Sequence, residues 1–442
     1  MLRKPQAGIG IATVAALGLA ACSPAETNGG GEAALDDLGL PDLSGHELEV
    51  ATPWTGDEQE AFLDMLAAFA DATGAEVRHA SIGDDLATVL QTRIDGADPP
   101  EVAVIPQPGL VEQFARDGAL VELPGEARER VAEHYIDLWR DLGTVDGTEY
   151  GVYVRASNKS TFWYNTELFD EVGVSPPDTM DELLETARVL ADSGIAPLSV
   201  GGSDGWVLTD WFENLYLRIA GPEMYDRLGE REVPWTHPTV EETLELLAEL
   251  FDENFLAGGV SGALQTDFST SIVNVFGPDP EAATIYEGDF VREVIDVSTD
   301  AVLGEQARFF PFPTVEGAEE SVVVGGDVAV AFVDDEATRE LMAYLATAEA
   351  GEIIAAGGVS VSPNHDVPLD TYPDELSRDI AEQLRDVGEN VRFDLSDTAP
   401  AAFGATPGSG MWAELQDFLS DTGDIEGTME RLESSAARAY GE

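Results

Sequence analysis

The stretch Gly201-Gly202-Ser203-Asp204-Gly205 fits a G-x-S-x-G pattern. It follows a strand-like Leu198-Ser199-Val200 and precedes a helical pattern, the setting in which a tight turn exposes a nucleophilic serine. Asp327 and His365 come later, in acid-then-histidine order. No HGGG-type oxyanion segment accompanies them, so a secreted serine hydrolase using Ser203 is the alternative reading and not the leading one. Paired carboxylates could cleave a glycoside, but 86 Asp plus Glu make pairs inevitable, and only a measured separation would carry that reading. The five histidines, His46, His79, His134, His237 and His365, show no i, i+3 or i, i+4 pairing and no HExxH. Cys22 is the only cysteine. Neither a metal centre nor an intrachain disulfide is expected. With no phosphate-binding loop or dinucleotide fingerprint, no cofactor is expected.

The chain that must position any site has 442 residues and a formal net charge of −64, from 22 Lys plus Arg against 86 Asp plus Glu. With 44% hydrophobic and 8% aromatic residues it can bury a core, so it is not an acidic disordered tail. Nucleic acid and anionic lipid surfaces are excluded as partners, since both need a basic face. Twenty of the basic residues are Arg, and the two Lys are Lys4 and Lys159. The acids are spread along the chain, and one such run is ordinarily a solvated helix face. The global excess implies a self-repelling surface, which a salt-rich medium would screen.

Residues 1–21 read as an export signal. Arg3 and Lys4 are followed by an apolar stretch from Gly8 to Leu19 that is too short to span a bilayer. Leu19-Ala20-Ala21-Cys22 is similar to a bacterial lipobox, which implies cleavage before Cys22 and lipidation of it. Residues 22–44 are polar and Gly-rich, as in a flexible tether. The expected location is the outer face of a cell membrane, lipid-anchored.

Beyond that, periodicity predicts strands at 47–51, 76–79 and 102–105, alternating with helices at 57–72, 84–94 and through Phe114. Short turns between them imply βαβ units and a mostly parallel sheet. Strands at 151–154 and 161–164 flank the polar segment Arg155–Lys159. Helices follow at 180–192, 207–220 and 240–255, then strands at 282–286, 309–310 and 322–332. Helices return at 336–346, 376–387, 411–420 and 425–440. The late returning strands imply lobes made from non-contiguous segments.

Seven segments in order resemble carbohydrate-binding extracellular solute-binding proteins of bacterial ABC importers, the group of maltose- and α-glucoside-binding proteins. They are Pro100–Gly109, Phe162–Phe169, Gly205–Asn214, Ala283–Asp289, Phe310–Thr314, Gly325–Val330 and Gly357–Asn364. The resemblance runs from about residue 45 to the end. It implies a two-lobed α/β fold with a hinge, lobe one being 45–155 plus 305–347 and lobe two 156–304 plus 348–442. Hinges are expected near 154–156, 304–307 and 347–348. It also implies a monomeric receptor, not an enzyme, that captures a mono- or oligosaccharide and delivers it to membrane permease subunits.

A sugar needs aromatic rings for its C–H faces and carboxylates or amides for its hydroxyls. These belong in loops at strand C-termini. Trp54 follows the first strand, and Gln107 sits between two prolines after the third. Trp206 opens a helix after a Gly-rich turn, with Asp210 one turn on. Asp327 follows two glycines that admit close backbone approach. The resemblance adds Asn158 at the lobe junction, Asp289 and Phe290 after a strand, and Phe403 as a second-lobe aromatic. Core packing is the alternative duty for Trp54, loop anchoring for Phe403, and helix capping for Asp210. Lys159, beside Asn158, is a candidate for either a ligand contact or a buried ion pair.

Overall fold

The structure is a computed structural model. It describes residues 38–54, 59–315, 317–318, 321–358, 360–386 and 390–441. The export signal, Cys22, most of the expected tether and the expected helix start at 57–58 lie outside the described residues.

The first core begins as read. Strands β1 (Glu47–Thr52), β2 (Glu76–Ser81) and β3 (Val102–Ile105) alternate with helices α1 (Glu60–Thr73), α2 (Leu86–Asp95) and α3 (Pro108–Arg116). Helix α1 buries Phe62, Met65, Leu66 and Phe69 on one face and ends at Gly74, whose φ of 75° suits a glycine. The four residues of β3 are all buried, as expected of a strand covered on both faces. A small hairpin, β4 (Thr144–Val145) and β5 (Thr148–Glu149), leads into β6 (Gly151–Asn158).

The chain then crosses to a second sheet of β7 (Thr161–Asn165), β8 (Ala196–Leu198), β9 (Ala282–Glu287) and β10 (Ala307–Pro311), in the order β10-β7-β9-β8. Helices α4 (Gly205–Ala220) and α5 (Phe268–Phe276) lie between β8 and β9. Strand β11 (Val322–Ala331) rejoins the first sheet, and α6 (Ala348–Gly357), α7 (Glu375–Asp386) and β12 (Val391–Phe393) follow. Helix α8 (Gly410–Ser420) and a last helix over Ile425–Tyr440 close the second core. The result is a two-lobed α/β molecule with one main sheet and one hydrophobic core per lobe among the described residues.

The first sheet is mixed, with three of its five pairings parallel, β1–β2, β1–β3 and β11–β12. β2, β1 and β3 are parallel, but β11 runs antiparallel to both β3 and β6. The segment 155–158, read as a polar interruption, is the end of β6, because β11 pairs with it along its whole length.

Three stretches depart from the expected division: residues 156–158, which end β6 in the first sheet, strand β10, and the run from α6 to β12. Strand β10 pairs with β7 in the second sheet. Helix α6 packs on α1, and its Ala350, Ile354 and Ala355 belong to the first core. The crossings therefore fall at 159–160, between 312 and 321, and near 394. All three meet at Val324, which pairs with Asn158 on one side and Phe393 on the other. The Lys159 amide donates to the Val323 carbonyl at 2.9 Å, and the Asp394 amide to the Val324 carbonyl at 2.9 Å. The Val323 amide donates to Ser160 Oγ, also at 2.9 Å.

Candidate functional site: a cleft between two sheets

A cavity of about 430 Å³ opens between the lobes beside these crossings. Its first-lobe wall is carried by strand ends. Trp54 follows β1, Gln107 follows β3, and Arg155 and Ser157 project from β6. Alternation along a strand puts positions 155 and 157 on one face, and Lys159 extends the row past the strand end. Opposite them, Gly325, Gly326 and Asp327 line the cavity from β11. A Cβ at Gly325 would come within 2.9 Å of Lys159 Cε, so glycine there leaves room for the lysine stem.

The second-lobe wall is aromatic. Trp206, Phe268 and Phe290 cluster with centroids 5.1 Å (Trp206–Phe268), 6.0 Å (Trp206–Phe290) and 5.5 Å (Phe268–Phe290) apart. Trp412 from α8 joins them in lining the cavity. Helices α4 and α5 both begin at this wall. Asp204 Oδ2 accepts the Phe268 amide at 2.8 Å and ties the two helix starts together, while Asp267 caps α5 by accepting the Thr270 amide at 2.8 Å.

Each cation at the cavity is paired with at least one carboxylate. Arg155 lies 3.6 Å from Asp327 and 5.4 Å from the centre of the Trp54 ring. Lys159 Nζ contacts Asp394, Asp210 at 3.3 Å and Asp397 at 3.6 Å. Burial alone would pull the ammonium down, but these three carboxylates together hold its pKa well above the ordinary lysine value. Burial pushes Asp394 up, yet Lys159 overcomes it and leaves that carboxyl below the ordinary range. Asp397, raised by burial and then by the Asp394 charge, faces the cavity.

Five of the nine residues singled out in the sequence meet at this cavity: Trp54, Gln107, Trp206, Phe290 and Asp327. The other four lie behind its surface. Asn158 donates its amide to Asp289 Oδ2 at 3.0 Å and receives the Asp289 amide on its carbonyl at 3.0 Å, a reciprocal clasp at the first crossing. Burial raises Asp289 to about 7, with the Asn158 amide and Arg155 opposing. Asp210 is wholly buried beneath Lys159. Phe403 packs on Trp235 at 5.3 Å in the second core. Sequence reading missed Phe268 and Trp412 because both look like core residues on amphipathic helices; each is 7% exposed. It missed Arg155 and Ser157 because their two-residue alternation was taken for a loop.

The G-x-S-x-G segment has a packing explanation. A Cβ at Gly201 would lie 2.9 Å from the Phe268 Cα, and one at Gly205 2.4 Å from the Trp412 Cβ. The glycines let α4 start flush against α5 and α8. Ser203 is exposed, and its Oγ contacts Asp204 Oδ1 at 3.2 Å. His365 sits in the other lobe, its amide bonded to the His134 carbonyl at 2.9 Å. The hydrolase reading is not supported.

The model of bacterial extracellular solute-binding proteins matches residues 54–352. The chain belongs to that family. Among relatives of this solute-binding protein, the osmoprotective compounds-binding protein GgtB of Synechocystis sp. is 37% identical over 388 residues, covering 85% of this chain and 90% of that protein. The alpha-glucosides-binding periplasmic protein AglE of Rhizobium meliloti is 31% identical over 394 residues, 86% of this chain and 84% of its own. In fold the solute-binding protein is similar to the bacterial solute receptor AcbH, with a TM-score of 0.76 at 18% identity over 89% of this chain and 99% of that one. It is also similar to RafE in complex with raffinose, with a TM-score of 0.73 at 15% identity over 89% and 99%. Among the described residues no helix is long and apolar enough to cross a membrane.

Proposed function

We propose that this solute-binding protein captures a small, neutral, hydroxyl-rich ligand, a mono- or disaccharide or a polyol glycoside, and presents it to an ABC importer. The observation that carries the reading is a cleft with an aromatic wall facing two ion-paired carboxylates, Asp327 and Asp397. Such a wall suits the C–H face of a sugar ring, and acids already held by Arg155 and Lys159 accept hydrogen bonds from hydroxyls without demanding a cation. A volume of about 430 Å³ lies in the lower half of the usual range for small-molecule sites and favours a short ligand over a long oligosaccharide. The name of the relative AglE points to an alpha-glucoside, and that of GgtB to an osmoprotective compound. In this reading Trp54, Gln107, Trp206, Phe290 and Asp327 touch ligand, and closure of the lobes buries it and signals the loaded state to the permease. Asn158, Asp210 and Asp289 support the hinge, and Phe403 supports the second core.

The same reading makes the protein a monomer anchored by lipid at Cys22 on the outer face of the membrane. Its excess of acids then meets the external medium, and a salt-rich one keeps them screened. Calorimetry in high salt tests the function with methyl α-glucoside, trehalose, sucrose, maltotriose and glycine betaine. Saturable binding of a short glucoside without product formation is expected. Turnover of any sugar, or binding of glycine betaine alone, would overturn the ligand class.

A further inference from the structure

The acids behind Lys159 outnumber what one ammonium can balance. Glu287 ends β9, Asp210 and Glu213 lie one turn apart on α4, and Asp394 and Asp397 follow β12. Asp210, Glu213, Glu287 and Asp394 are each 0% exposed. Carboxylate oxygens of Asp210, Glu213 and Asp394 lie within 4.8 Å of one another.

Donors are found for some of these oxygens. Glu213 accepts the amides of Leu395 at 2.7 Å and Ser396 at 2.9 Å, and the Tyr225 hydroxyl at 3.2 Å. Asp394 accepts Lys159, Ser396 Oγ at 2.7 Å and the Asp397 amide at 3.0 Å. Oδ2 of Asp210 is buried with no donor at hydrogen-bond geometry, and so are both oxygens of Glu287, beside which the Gly288 amide lies. Carboxylates are acceptors only; adjacent and dry, they repel unless a proton lies between them.

We propose that Glu287, Asp210, Asp394 and Glu213 form a chain of proton-sharing carboxyls, a proton-binding site in the seam between the lobes whose occupancy holds the hinge together. The geometry supports the coupling, because Asp394 lies on the third crossing and Lys159 on the first, while Asp210 and Glu213 ride on the second lobe. Other charges reach the chain from its surroundings. Arg218, on α4, bonds the Asn214 carbonyl at 3.0 Å and the Ser321 carbonyl at 2.9 Å. Arg155 and Asp327 face Asp397 from β6 and β11, and Asp289 stands beyond Glu287. The hydroxyls of Tyr286 and Tyr225 abut Asp210 and Glu213, and burial holds both well above the usual phenol range.

The direction of pH dependence follows from the raised members. Burial lifts Glu287 to about 8, with Lys159 and Asp210 opposing. Asp210 and Glu213 are also held well above the ordinary carboxylate range by burial. Asp394 moves the other way because Lys159 sits on it. A carboxyl raised in the folded state contributes stability at pH below its unfolded pKa and loses it as pH rises through the folded one. Around pH 8 Glu287 therefore loses its proton and the seam gains uncompensated negative charge.

Infrared titration of the ligand-free full chain, in high salt to screen the surface acids, tests this without reference to any sugar. A protonated-carboxyl band is expected to persist at neutral pH and fade toward about pH 9. The radius of gyration from small-angle scattering should rise over the same interval. Glu287→Gln should remove part of the band; if it fails to fold, the wild-type titration still decides. A band that vanishes with the surface acids below about pH 5 overturns the shared protons. A band that titrates above neutrality with an unchanged radius overturns the coupling to the hinge.

Discussion

The two walls of the cleft are built from different material. The first-lobe wall is backbone-rich, with Gly325 and Gly326 on β11 and short or paired side chains at the ends of parallel strands. The second-lobe wall is side-chain-rich, with Trp206, Phe268, Phe290 and Trp412 grouped around the starts of two helices. A sheet edge offers positions fixed by its ladder; aromatic rings offer area. In the proposed reading the first wall sets where hydroxyls go, and the second supplies most of the binding energy. Lys159 sits where the walls meet and belongs to neither.

Breaking the seam should have the largest effect. Lys159→Met leaves Asp394, Asp210 and Asp397 without their cation. Removing one member of a buried ion cluster costs about 3–5 kcal/mol. A drop of many degrees in melting temperature is expected at about pH 8, and less at about pH 5, where the acids can take up protons instead. Equal drops at both values would show that packing of the lysine stem, and not its charge, is what matters.

The aromatic wall comes next. Trp206→Ala should weaken binding of a short glucoside by about 30-fold, near 2 kcal/mol, with little change in melting temperature, since Trp206 is only half-buried. The smallest effect is expected from the opposite wall. Gln107→Ala removes one hydrogen-bonding group, about 1 kcal/mol or some fivefold in affinity. If Gln107→Ala costs more affinity than Trp206→Ala, the division of labour between the walls is reversed.

Much of the first lobe was legible because its signals are local. The i, i+3, i+4, i+7 pattern of α1, the stop at Gly74 and the short apolar β3 are each written within a dozen residues. The crossings were less legible. Strand β10 carries Phe309 and Phe310, which would suit either sheet; only the partner strand β7 decides. Helix α6 reads as a featureless run of Ala and Gly, and its assignment to the first core depends on contact with α1. At the site, Trp206 and Gln107 could be found because a turn residue of that type has little else to do. Asp210 and Asp289 could not be separated from cavity acids, since nothing local tells a carboxylate facing a ligand from one facing a lysine or a backbone amide.

The meeting of three crossings at Val324 has a mechanical consequence. Single covalent links between two bodies would leave them free to swivel, twist and slide. Three segments laid side by side and bonded at 158–160, 322–324 and 393–394 behave like the leaves of a pinned door hinge. Twisting or sliding would shear the hydrogen bonds between neighbouring segments, whereas bending across all three at once leaves them intact. In the proposed reading, closure of the lobes is thereby steered toward a bend common to all three segments, and every ligand that closes the cleft would close it along that path.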